Sequence, residues 1–110
     1  MNEPKERHPI DLGHGHRMSW VDWNPDVELN PQWRDLAPIE RCVILVSHGT
    51  EEMGPCESGI WLARPGVDQI HEGSVWVVVQ EEPLTISPSL LCKRCGDHGF
   101  IQNGRWVPAG

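Results

Sequence analysis

Cys42-Val43-Ile44-Leu45-Val46 is the stretch on which the fold turns. An unbroken apolar run of this length, with Val43, Ile44 and Val46 branched at Cβ, suits a buried strand better than a helix. Polar residues close it off on both sides, Glu40-Arg41 before and Ser47-His48 after. Val75-Trp76-Val77-Val78-Val79 has the same character, and the continuity of both runs predicts central strands buried on two faces. Shorter strands are expected at Arg17 to Val21, at Ile60-Trp61-Leu62, and at Leu84-Thr85-Ile86-Ser87 between Pro83 and Pro88. Phe100-Ile101-Gln102 and Arg105-Trp106-Val107 flank Asn103-Gly104, a pair that favours a type I′ hairpin because both central positions take positive φ.

Helix has little room. Pro25, Pro31 and Pro38 exclude a long regular element between Asn24 and Pro38. Asn30 as N-cap with Pro31 at the first helical position allows at most a short helix near 31–36. The expected fold is therefore mainly β: a small antiparallel sheet domain with a zinc-bearing C-terminal hairpin region.

The length of 110 residues predicts a single domain over 1–110, small enough for a metal staple to matter. Residues 1–9 are polar and expected to be flexible. A formal charge of -7, from 16 acidic and 9 basic residues, disfavours nucleic acid as a partner, since affinity for a phosphate backbone comes from Lys and Arg. No segment approaches the roughly 18 apolar residues of a membrane span, and no leader pattern is seen, so a cytoplasmic location without membrane contact is expected. That setting keeps thiols reduced and favours metal over disulfides. Six tryptophans stand against one phenylalanine and no tyrosine, so Trp20, Trp23, Trp33, Trp61, Trp76 and Trp106 must supply the large aromatic surfaces of the core.

The sharpest chemical signal is Cys92-Lys93-Arg94-Cys95-Gly96-Asp97-His98. A Cys-x2-Cys turn aims two sulfurs at one ion, and Zn²⁺ prefers a tetrahedral shell of sulfur and nitrogen. Residues 83–109 then form a zinc-associated, zinc-ribbon-like region. Cys92, Cys95 and His98 are the local ligands, and the remaining one comes from elsewhere in the chain. Cys56, in Gly54-Pro55-Cys56-Glu57-Ser58-Gly59, is preferred because Gly and Pro mark a turn from which a thiol can point at an ion. Cys42 reads as a small core residue. Whether His98, Cys42, His14 or His16 completes the shell stays open.

Gly13-His14-Gly15-His16 is the other ligand-like segment. His-x-His also opens the zinc motif of the JAMM metallopeptidases, which continues with Ser-x2-Asp, and Ser19-Trp20-Val21-Asp22 is present here. The gap between the two is much too short for that motif, so a solvated or locally hydrogen-bonded histidine pair is the default. Ser47 and His48 are adjacent, and neighbours on a strand point to opposite faces, so they form no catalytic pair. Glu51-Glu52 and Glu81-Glu82 read as solvated turns. No catalytic residue is assigned.

Leu84-Thr85-Ile86-Ser87-Pro88-Ser89, Cys95-x2-His98 and Ile101-Gln102-Asn103-Gly104-Arg105 together resemble the ending of an uncharacterised bacterial and phage domain family, members of which occur beside bacterial ubiquitin-like conjugation genes. With Cys92 and the terminal Trp106-Val107-Pro108-Ala109, the chain is similar to small hypothetical proteins of actinobacterial phages. The resemblance implies metal binding by Cys95 and His98, with an upstream turn cysteine whose counterpart here is Cys56. The chain departs from the pattern in having Cys92 and in lacking a denser upstream cysteine cluster. No activity comes with the resemblance.

The expected function is a zinc-stabilised protein-interaction domain, a phage accessory protein that engages a host protein in the host cytoplasm. The acidic charge would suit a basic protein groove. The rival expectation is a metal-dependent hydrolase with an open zinc position and Glu57 or Asp97 as base. The non-enzymatic reading is preferred because a closed zinc shell performs no chemistry.

Overall fold

A computed structural model of the chain describes residues 9–50 and 54–109. The expected flexible stretch 1–9 lies, except for Pro9, outside the described residues, as do Glu51 and Glu52. The fold is mainly β, with antiparallel sheets. In chain order the described strands are β1 (Ile10–Gly13), β2 (His16–Trp23), β3 (Ile39–Thr50), β4 (Gly54–Trp61), β5 (Val77–Gln80), β6 (Thr85–Ser87), β7 (Leu90–Leu91), β8 (His98–Gln102) and β9 (Arg105–Pro108). The expected short helix is a 3-10 turn at Pro31–Trp33, with Pro31 at its start, and a second such turn covers Val67–Gln69. No described helix is long and apolar enough to cross a membrane.

The strands form three sheets, ordered β1-β2-β3-β4, β5-β6 and β7-β8-β9. β3 is central in the first sheet, paired antiparallel to β2 on one side and β4 on the other. The expected two-sided burial holds for it: Ile44 and Val46 join the main core, while Cys42 and Val43 join a smaller cluster with Val67. The expected strand at Arg17 to Val21 is part of β2, and β1 folds back on it through Gly13 to His16, a hairpin that the sequence reading did not assign.

Val75 to Val79 departs from expectation. The strand runs over Val77–Gln80 and is buried on one face only: Trp76 and Val78 pack on the core, whereas Val75, Val77 and Val79 face outward, the last two 56% and 64% exposed. Among the described strands β5 pairs only with β6, and the outer valines are left open to solvent. Period-two alternation, hidden by the uniformly apolar sequence, governs the segment after all.

One core joins the three sheets. Leu12 of β1, Met18 of β2, Ile44 and Val46 of β3, Ile60 of β4, Ile86 of β6, Leu90 of β7, Ile101 of β8 and Trp106 of β9 all belong to it. Trp106 is fully buried and the other five tryptophans are half-buried. The β8–β9 hairpin turns at Asn103-Gly104 with φ of 50° and 73°, the positive values expected of that pair.

Candidate metal centre

The centre begins with strand periodicity. His16, His48 and Cys56 are cross-strand neighbours, one rung spanning β2, β3 and β4. Side chains two apart on a strand share a face, so His16 follows Met18, His48 follows Ile44 and Val46, and Cys56 follows Ile60 on the core-facing side. The rung ends the apolar core with polar donors. Cys56 accordingly sits within strand β4 and not in the turn expected from Gly54-Pro55.

The other wall is the Cys92 to Asp97 knuckle between β7 and β8. The Cys92 N–H donates to the Asp97 carbonyl and the Gly96 N–H to the Cys92 carbonyl, each at 2.7 Å. Gly96 has φ of +80°, a conformation that lets the chain curl without a Cβ penalty. The curl places both sulfurs opposite the rung.

His48, Cys56, Cys92 and Cys95 each offer one donor atom, and all four atoms lie within 4.8 Å of one another. Tetrahedral zinc, at about 2.3 Å from sulfur and about 2.1 Å from nitrogen, needs donors about 3.8 Å apart or slightly less, so a small contraction suffices. The donor set of three soft thiols and an imidazole could hold a metal ion such as zinc. All four cysteines of the chain are free.

The thiols differ. The Cys95 backbone N–H, helped by the His48 side chain, holds the Cys92 thiol well below the usual range, at about 6. Burial, followed by the Cys92 and Cys95 thiols, pushes Cys56 up. Cys42 is pushed up by burial as well, and its thiol lies 3.9 Å from the Val21 carbonyl. It belongs to the smaller hydrophobic cluster, away from the donor group.

Of the residues singled out in the sequence, Cys56, Cys92 and Cys95 come together, joined by His48. His98 lies apart: it opens β8, is exposed, and its Nε2 is 2.7 Å from the Ser89 hydroxyl. Along β8 the core face carries Gly99 and Ile101, so His98 projects from the opposite side. His14 contributes a backbone carbonyl, 2.8 Å from His16 Nδ1. His16 is buried, only 4% exposed, and its Nε2 is 2.6 Å from Asp97 Oδ2. Of the pair, His16 is therefore buried and locally hydrogen-bonded, whereas His14 is exposed to solvent. The signal that could have found His48 is the face of β3: carrying the alternation Ile44, Val46 two residues further reaches it.

A second concavity lies beyond the core. A cleft of about 730 Å³ is walled by β1, Trp20, Arg41 and the β8–β9 turn, with the Arg41 guanidinium 5.1 Å over the Trp20 ring. Its charges are mixed, Arg41 and Arg105 against Asp11, Glu81 and Glu82, and select no ligand class. No protein-family model matches the chain, and no curated protein or solved structure shows significant similarity to it.

Proposed function

We propose that the chain is a small protein-interaction domain clamped by one structural zinc ion on His48, Cys56, Cys92 and Cys95. The observation that carries this reading is the origin of the four donors: two from the first sheet, on β3 and β4, and two from the knuckle of the third. An ion there would bridge sheets that otherwise meet through side-chain packing and the His16–Asp97 contact. With four protein ligands the shell leaves no position for an activated water, which is the property of a structural site.

The hydrolase reading finds less support. Glu57 neighbours Cys56 on β4 and so projects from the other face, and the Asp97 carboxylate is engaged by His16. For a partner, the resemblance to phage proteins and the charge of -7 favour a host protein with a basic surface. Elemental analysis after extensive dialysis under reducing conditions tests the clamp: about one zinc per chain is expected, and metal-free protein would overturn it. A zinc-bound water in a structure of the metal-loaded protein would move the assignment to the hydrolase.

A further inference from the structure

His16, Asp97 and Trp106 stand outside the four-donor group yet converge on its histidine. His48 turns Nε2 toward the Cys95 sulfur, 3.9 Å away, and Nδ1 toward Asp97 Oδ2, also 3.9 Å away. The same carboxylate oxygen is 2.6 Å from His16 Nε2, and the other nitrogen of His16 faces the His14 carbonyl. The three rings form a stack. Trp106 and His16 lie 4.0 Å apart with planes 8° from parallel, and His16 and His48 lie 4.7 Å apart at 10°. Behind the stack is Gly99, where a Cβ would come within 2.5 Å of the indole.

Donor atoms of His16, His48 and Asp97 also lie within 4.8 Å of one another, so a second ion is the first alternative to weigh. The stacking argues against it. An imidazole lone pair lies in the ring plane, and two nearly parallel rings with centroids 4.7 Å apart hold theirs in separate, nearly parallel planes, which disfavours convergence on one ion. What the arrangement can do is hold one ring. Metal-bound histidines commonly donate their second nitrogen to a carboxylate, which fixes tautomer and orientation.

We propose that Asp97 and His16 are positioning residues for the metal, setting the orientation of His48 so that Nε2 faces the ion and Nδ1–H faces the carboxylate. His16 anchors Asp97 from one side and supports the His48 ring on its face. The inference rests on His48 being a metal ligand.

The test is zinc affinity, measured by competition with a chromogenic chelator, on the full chain. Asp97→Asn and His16→Phe, the second retaining a ring in the stack, should each weaken zinc binding about 10–100-fold, the usual cost of losing such a partner. In a His48→Ala background, Asp97→Asn should change affinity less than about twofold, because its effect passes through His48. Long-range ¹H–¹⁵N spectra of the zinc-loaded wild type should show His48 bound through Nε2 with a hydrogen on Nδ1. Should His16→Phe fail to fold, Asp97→Asn decides, since that side chain is partly exposed and its replacement is nearly the same size. Wild-type affinity in a folded Asp97→Asn, an equal loss in the His48→Ala background, or coordination through Nδ1 would overturn the inference while leaving the clamp in place. A wild-type chain that takes up no zinc would overturn both.

Discussion

Gly99 shows how one residue controls the contact between the metal centre and the core. Trp106 lies across it so closely that a Cβ would sit 2.5 Å from the ring and 2.8 Å from the Val107 carbonyl. The ring cannot withdraw, since its other face is stacked on His16 at 4.0 Å. Gly99→Ala should therefore cost about 1–3 kcal/mol, the range for overpacking, read as a lower urea midpoint with an unchanged slope. The donors give a second prediction. His48→Ala, Cys56→Ser, Cys92→Ser and Cys95→Ser should each weaken zinc binding enough that the ion is lost on extensive dialysis, and lower the melting temperature, because metal binding is coupled to folding. Cys42→Ser and His98→Ala should keep the metal; loss of zinc from His98→Ala with retention in His48→Ala would reverse the assignment. Thiol chemistry gives a third. In metal-free protein the thiolate of Cys92 forms above about pH 6. Iodoacetamide should therefore label Cys92 ahead of Cys42 and Cys56 at pH 7; the absolute rate at Cys92 should fall about tenfold per pH unit below about pH 6, while its lead should narrow only when the pH rises far enough to ionise the other two thiols. Peptide mass spectrometry after brief labelling reads the order directly.

At the scale of elements, strand phase decides what could be foreseen. The hairpin at Asn103-Gly104 was legible because its turn chemistry is local, and β3 was legible because its apolar run is buried on both faces. β5 was misjudged in burial because valine satisfies strand propensity on an exposed face as well as on a covered one. The cysteines were legible through their spacing, whereas His48 was not, since it comes to Cys56 only through the register of β3 with β4. Nothing local to Ser47-His48 announces that register. The same logic predicts where chelation acts. The β8–β9 hairpin is held by Ile101, fully buried, and by Trp106, both in the main core. Its amides should stay protected from hydrogen exchange when zinc is removed. The Cys92 to Asp97 knuckle contributes no side chain to the main core and relies on its two short backbone bonds, the Asp97–His16 contact and the thiols, so Cys92 and Gly96 amides should exchange much faster in the chelated protein. Equal protection of the knuckle with and without chelator would count against a structural ion.

For the whole molecule, the question is which surface a clamped domain would present. The exposed valines at and just before β5 are the feature least explained by folding: Val75, Val77 and Val79 face outward, and although Trp76 bridges Leu62, β5 itself pairs, among the described strands, only with β6. An apolar row on a half-paired strand invites either aggregation or a partner. Glu81 and Glu82 follow immediately; Glu81 is held to Arg64, an ion pair that keeps its carboxyl below the usual range, while Glu82 stands exposed in the same turn. An apolar row beside acidic side chains matches a basic protein surface with an apolar centre, the kind of partner favoured by the net charge. Replacing Val77 and Val79 together by Glu should leave zinc content unchanged and stability within about 1 kcal/mol, because both side chains are already in water. If a pull-down with the wild type captures a protein, the same double variant should lose it, as a charge placed at the centre of an apolar interface must be desolvated without a partner. Quantitative pull-downs with wild type, the Val77→Glu, Val79→Glu variant and the Cys92→Ser variant separate the contributions. Capture lost in the first variant alone would place the interface on β5 independently of the clamp, loss in both would tie recognition to the intact fold, and undiminished capture by the valine variant would remove β5 from the interface.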